Sequence, residues 1–140
     1  MITNYHEFPD LLSDEIHRLI DDWARFLPGW VDTLDIYYDD NEVSSASSYA
    51  SAGGNFNQRT ASIWFHPKFW GLDIRSREIT LFHEFGHILM VPVDQVVEMI
   101  IKSKPRKDIS EKLYSEACEG FVNDFAILTW RIREFAHEDP

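Results

Sequence analysis

His83-Glu84-Phe85-Gly86-His87 is the part of this chain whose residue types and spacing most directly imply chemistry. On a helix, two histidines four positions apart lie about 40° from each other and one turn apart along the axis. Their imidazoles can therefore hold one metal ion from a single helix face. The glutamate between them, about 100° round from the first histidine, stands beside that ion and not on it. There it can take a proton from an attacking water and deliver it to a leaving amine. The neighbours Thr80-Leu81-Phe82, Phe85-Gly86 and Ile88-Leu89-Met90 are all uncharged, as a helix sunk in a core requires. Gly86 lets another segment approach closely, and a surface helix has little use for that.

A catalytic zinc site takes three protein ligands and leaves a position open. The downstream candidates for the third are Glu111, Glu116, Glu119, Asp124, Glu134 and His137. Winding residues 110–135 as a helix sorts them. One apolar stripe reads Tyr114, Ala117, Cys118, Phe121, Phe125, Leu128 and Ile132. A second face carries Glu116, Glu119, Asn123, Ala126, Ile127 and Trp130, so its acids do not sit on a simply solvated surface. Asp124 falls with Gly120 and Arg131 and reads as exposed. Glu119 is the preferred ligand, with Asn123 one turn on to orient it, and Glu116 is the alternative. For the oxyanion donor that hydrolysis needs, His66, Tyr114 and Arg75 are candidates.

These residues must be positioned by a small set of elements. Residues 13–27 are predicted to form an amphipathic helix, with Ser13 as N-cap and Ile16, Leu19, Ile20, Trp23 and Leu27 at helical spacing. Strands are expected at 31–38, weakly at 47–52 before a turn at Gly53-Gly54-Asn55, and at 60–66. The last of these is either ordinary sheet structure or an edge strand able to pair with an extended peptide. A helix from about Ser76 to Met90 should stop at Pro92, with Asp94 capping a separate short helix to about Ile101. A basic loop at 102–107 then leads to a long helix opened by Ser110. The expected class is α+β: one domain over residues 1–140, with a small antiparallel sheet of about three strands packed against helices.

Composition sets the limits. The 140 residues are 44% hydrophobic and include ten Phe, five Trp and five Tyr, enough for a folded core. The net charge of −11 opposes binding to a phosphate backbone, so no direct nucleic-acid partner is expected. The single cysteine, Cys118, excludes an internal disulfide and reads as a small buried hydrophobe suited to a reducing compartment. No apolar run approaches a membrane span and the N-terminus shows no secretory signal, so a cytoplasmic location is expected.

Over roughly residues 60–130 the chain resembles the ImmA/IrrE family of zinc metallopeptidases, which are gluzincin-like. The likeness lies in the strand before the motif, the lead-in Arg75-Ser76-Arg77-Glu78-Ile79-Thr80-Leu81-Phe82, and His83-Glu84-Phe85-Gly86-His87 itself. The family's later helix reads E-x-x-A-N-x-F-A. Here Glu119-Gly120-Phe121-Val122-Asn123-Asp124-Phe125-Ala126 matches it except for valine in place of the first alanine. The resemblance implies zinc held by His83, His87 and Glu119, with Glu84 as the base. It also implies an endopeptidase acting on a protein or peptide, of the repressor type. Two other readings bear on the same residues: a non-catalytic module that uses zinc to hold its fold and binds a protein partner, and a metal-free regulatory domain whose acidic surface meets a basic protein.

Overall fold

The computed structural model describes residues 1–39, 49–103 and 107–138, and the chain falls into two compact units, Met1–Gly71 and Leu72–Pro140. No break in composition marks that boundary in the sequence. The class is mixed and roughly α+β, with a four-stranded sheet and three helices among the described residues.

In the first unit, β1 (Ile2–His6) leads into α1 (Asp10–Trp23) and a 3-10 turn at Ala24–Phe26. β2 (Thr33–Tyr38), β3 (Ala50–Asn55) and β4 (Thr60–Phe65) follow, and a second 3-10 turn at Pro67–Gly71 closes the unit. The sheet order is β1-β2-β4-β3. β1 and β4 both run parallel to β2, and only β3 is antiparallel to its neighbour β4. The expected antiparallel sheet of three strands is therefore corrected to a mostly parallel one of four. The physical reason is the helix after β1: a crossover of that kind returns the chain to the same end of the sheet, which makes the next strand parallel.

Alternation in β2 and β4 puts Leu34, Ile36, Ala61, Ile63 and Phe65 on one face, each fully buried. On the other face His6, Tyr37 and Trp64 stand in register across three strands with their rings stacked. Gly53, Gly54 and Asn55 belong to β3, and the turn lies after them at 56–59. Gly54 packs too closely for a side chain, since a Cβ there would stand 2.7 Å from the Thr60 carbonyl oxygen. α1 buries Ile16, Ile20 and Trp23, as its periodicity predicts, but it begins at Asp10 after Pro9, so Ser13 lies inside the helix and does not cap it.

The second unit is two long helices, α2 (Ile74–Lys102) and α3 (Lys107–Glu138). Asp73 caps α2, its carboxylate accepting from the Ser76 amide at 2.7 Å. α2 does not stop before Pro92 but runs through it, so Asp94 lies within the helix and no separate helix begins there. Proline leaves the Ile88 carbonyl without its usual amide partner, at a cost of about 3 kcal/mol. Burial of Val91 and Ile101, and a hydrogen bond from Tyr114 of α3 to Asp94 at 2.6 Å, offset that cost and carry the helix on. Near the other end of α2, Arg133 of α3 binds the buried Glu78. Of the loop expected at 102–107, residues 104–106 lie outside the described residues, and so do residues 47 and 48 of the strand expected at 47–52.

Candidate metal centre

The site is assembled where α2 and α3 come closest. Gly86 faces Val122 and Phe125, and a Cβ at position 86 would lie 3.0 Å from Val122 and 3.2 Å from Phe125. Val122 is fully buried and Ala126 nearly so, whereas Phe121, Leu128 and Ile132 are exposed. The face of α3 that meets α2 therefore runs through Tyr114, Cys118, Val122, Phe125 and Ala126. It overlaps the apolar stripe expected from the sequence only at Tyr114, Cys118 and Phe125. Glu119 lies on one flank of this face and reaches the histidines.

His83, His87 and Glu119 converge. The two Nε2 atoms are 3.1 Å apart, and Glu119 stands 3.1 Å from His87 through Oε1 and 3.5 Å from His83 through Oε2. Nitrogen and oxygen donors 2.0–2.2 Å from a tetrahedral ion stand roughly 3.3 Å from one another. The separation between the two imidazoles has that size, while the two Glu119 separations end on different carboxylate oxygens, so one donor atom from each residue stands within 4.8 Å of the others, a looser outline of such a face. Two imidazoles and a carboxylate are also a donor set suited to zinc. Both histidine side chains are about three-quarters buried, while that of Glu119 is 52% exposed. Solvent reaches the site from the α3 side.

Burial lowers the pKa of His87 below its ordinary value, although the Glu119 carboxylate opposes the shift. The ring therefore stays neutral and keeps a lone pair to donate. Glu84 is buried, and desolvation, followed by the nearby charge of Glu119, raises its pKa to about 8. Its Oε2 has no hydrogen-bond partner among the described residues, a costly condition for a buried oxygen unless a ligand or water uses it.

The remaining expected residues are placed elsewhere. Glu111, Glu116 and Asp124 are exposed and outside the cluster, Glu134 faces Arg133, and the His137 side chain lies outside the described residues. Asn123 is exposed. Cys118 is half-buried. Of the candidate oxyanion donors, Tyr114 donates to Asp94, Arg75 lies over the Trp130 ring, and His66 accepts from the Lys68 amide through Nδ1. Of the two readings of strand 60–66, ordinary sheet structure holds: β4 lies between β2 and β3, so its backbone is already paired on both sides. The pairing of Asp94 with Tyr114 was missed. Asp94 falls seven residues after His87, on the same helix face, and that spacing was the available signal.

In comparison with known proteins, no family model matches the chain, and neither a curated protein nor a solved structure is similar to it. Among the described residues no helix is long and apolar enough to cross a membrane.

Proposed function

We propose that this chain is a zinc-dependent endopeptidase that hydrolyses a peptide bond in a protein partner. The observation that carries the reading is the convergence of His83, His87 and Glu119, one donor atom from each lying within 4.8 Å of the others, three ligands that would leave one position of a tetrahedral ion for substrate or water. Zinc, when bound there, would supply Lewis-acid polarisation of the scissile carbonyl and acidify a water. The chain's own residues do the rest. His83 and His87 would hold the ion from one helix, and Glu119 would close the set from the other. Glu84 accepts the proton lost by the attacking water and returns it to the departing amine. Its buried, unpartnered oxygen suits that task, and a bound cation would draw its raised pKa of about 8 down towards neutrality, where a base works best. The motif resemblance to the ImmA/IrrE family extends the proposal to a repressor-type regulator as the substrate.

A second reading is a zinc-braced module that binds a protein without cutting it. It is favoured by Leu89, Val93, Val96 and Ile100, which recur at helical spacing along α2 and are exposed. Glu84 argues for the first, because a brace needs no buried carboxyl beside its ligands. Glu84→Gln separates the two. Zinc should remain bound while cleavage, followed on a repressor-type protein or a peptide library, falls by roughly 10²–10⁴. Unchanged cleavage with zinc retained rejects the peptidase mechanism.

A further inference from the structure

The side of α3 that α2 leaves uncovered carries a regularity of its own. Phe121, Phe125, Leu128, Ile132 and Phe135 follow one another at steps of four, three, four and three residues. That alternation is the seam by which one helix packs along another, and here it runs for roughly 21 Å. Phe125 is half-buried with its ring stacked on Phe121, and the other four are 45–76% exposed. Leu128 follows Glu119 by nine residues, which places it about 180° round the helix, so the seam looks away from His83, His87 and Glu119.

Area and symmetry select what covers it. Large apolar side chains offer roughly 150–250 Å² each, so the exposed parts of these four come to about 500 Å² on one copy. That is large for a monomer, and doubled by an equal partner it reaches the roughly 1,000 Å² of a specific interface before any polar rim is counted. The seam is also complementary to itself. An antiparallel copy of α3 centred on Leu128 sets Phe121 against the partner's Phe135, and Phe125 against the partner's Ile132. On the flank, the exposed Asp124 then comes beside the partner's Arg131, and Arg131 beside the partner's Asp124. A two-fold contact demands this kind of self-match. An anionic lipid surface, by contrast, would repel a chain of net charge −11. We propose that α3 is a dimerisation helix: two copies of this chain associate about a two-fold axis at Leu128, their seams packed antiparallel. Glu119 lies on the opposite side of α3, so the inference is independent of the metal reading.

The test is sedimentation velocity on the full chain over a series of concentrations, with chelator present so that metal has no part. The mass of the wild type should rise with concentration to that of two chains. Leu128→Glu brings two like charges together at the axis and should leave monomer alone, with the far-UV circular dichroism of the wild type, since Leu128 is exposed. Asp124→Arg and Arg131→Asp, made singly, replace attraction by repulsion at two symmetric places, and each should weaken the dimer by roughly tenfold. Made together, they restore the opposite pairing and should recover most of that loss. The charge variants keep the test decisive if Leu128→Glu does not fold.

A wild type that stays monomeric at every concentration overturns the inference and leaves the seam to a helix of some other protein. A dimer that persists unchanged in Leu128→Glu overturns it as well, because the contact then lies elsewhere. If the double charge exchange is as weak as either single one, the antiparallel self-pairing is wrong and the proposal falls with it.

Discussion

Burying a carboxyl as deeply as that of Glu84 has a consequence that can be measured without any substrate. Its pKa in the folded, metal-free chain is about 8, against an ordinary value near 4.5. The folded chain thus holds a proton that the unfolded chain has released, and this group's contribution to stability is complete below pH 4.5. It is lost as pH rises from there through 8, by an amount on the order of a few kcal/mol. His87 acts in the opposite sense. Its folded pKa is lowered, so its contribution is present above the unfolded value of about 6.5 and is lost as pH falls through the folded one. Glu84→Gln isolates the first effect. In chelator-treated protein, the stability of Glu84→Gln relative to wild type should climb by a few kcal/mol between pH 5 and pH 8, measured by denaturant unfolding. Parallel pH curves for the two proteins would mean that Glu84 is not buried as described.

At the scale of elements, the contact between α2 and α3 sets the separation of the donor atoms, and Gly86 sets the contact. Alanine at 86 gains about 1 kcal/mol in helix propensity. Its methyl group, however, would stand 3.0 Å from two atoms of Val122, which is fully buried and branched at Cβ, so its side chain cannot swing aside. Overpacking of that kind costs about 1–3 kcal/mol. Gly86→Ala should therefore lose on the order of 1 kcal/mol and, by pushing the helices apart, also weaken zinc binding. Val122→Ala, added to Gly86→Ala, should restore the spacing and recover much of the zinc affinity. A Gly86→Ala protein as stable as wild type, with the same affinity, would show that the glycine does not control the approach.

The same contact explains what the sequence could and could not disclose. The spacing of His83, Glu84 and His87 was legible because it depends only on the helical repeat. Glu119 was preferred because acids sharing a face with Ile127 and Trp130 should not all be solvated, and that argument holds only in part: Trp130 is half-buried, but Ile127 is exposed. Which face of α3 meets α2 was not legible, because Phe121, Leu128 and Ile132 make an equally apolar stripe and yet are exposed. Only the fit of Val122 against Gly86 decides between the faces. Pro92 misled for a related reason. A local rule ends the helix there, and packing beyond it, including the bond between Asp94 and Tyr114, overrides the rule. β1 was missed because its residues show no clean alternation, and without it the crossover that makes the sheet mostly parallel could not be seen.

For the whole molecule, the net charge of −11 raises a question that a metal-binding reading must answer. An acidic protein attracts divalent cations diffusely, so stabilisation by a cation is informative only if it depends on particular residues and on the identity of the metal. His83 and His87 come from α2 and Glu119 from α3, so an ion held by all three cross-links the two helices and binds the folded state preferentially. Free zinc at a hundred times its Kd would add about 2.7 kcal/mol. In a chain of 140 residues each kcal/mol moves the melting temperature by about 3–4 °C. Zinc should therefore raise the melting temperature by roughly 8–10 °C, on the order given by those two relations. Magnesium, which prefers an all-oxygen octahedron, should not reproduce the shift. Glu119→Ala should lose most of the zinc effect, and Glu116→Ala, which removes an exposed acid of equal charge one turn away, should keep it. Diffuse attraction predicts the reverse pattern: equal shifts with zinc and magnesium, and equal losses from the two glutamate substitutions. That result would remove the metal from the account of this protein, because it would show that the convergence of two imidazoles and a carboxylate has no greater hold on a cation than the acidic surface around it.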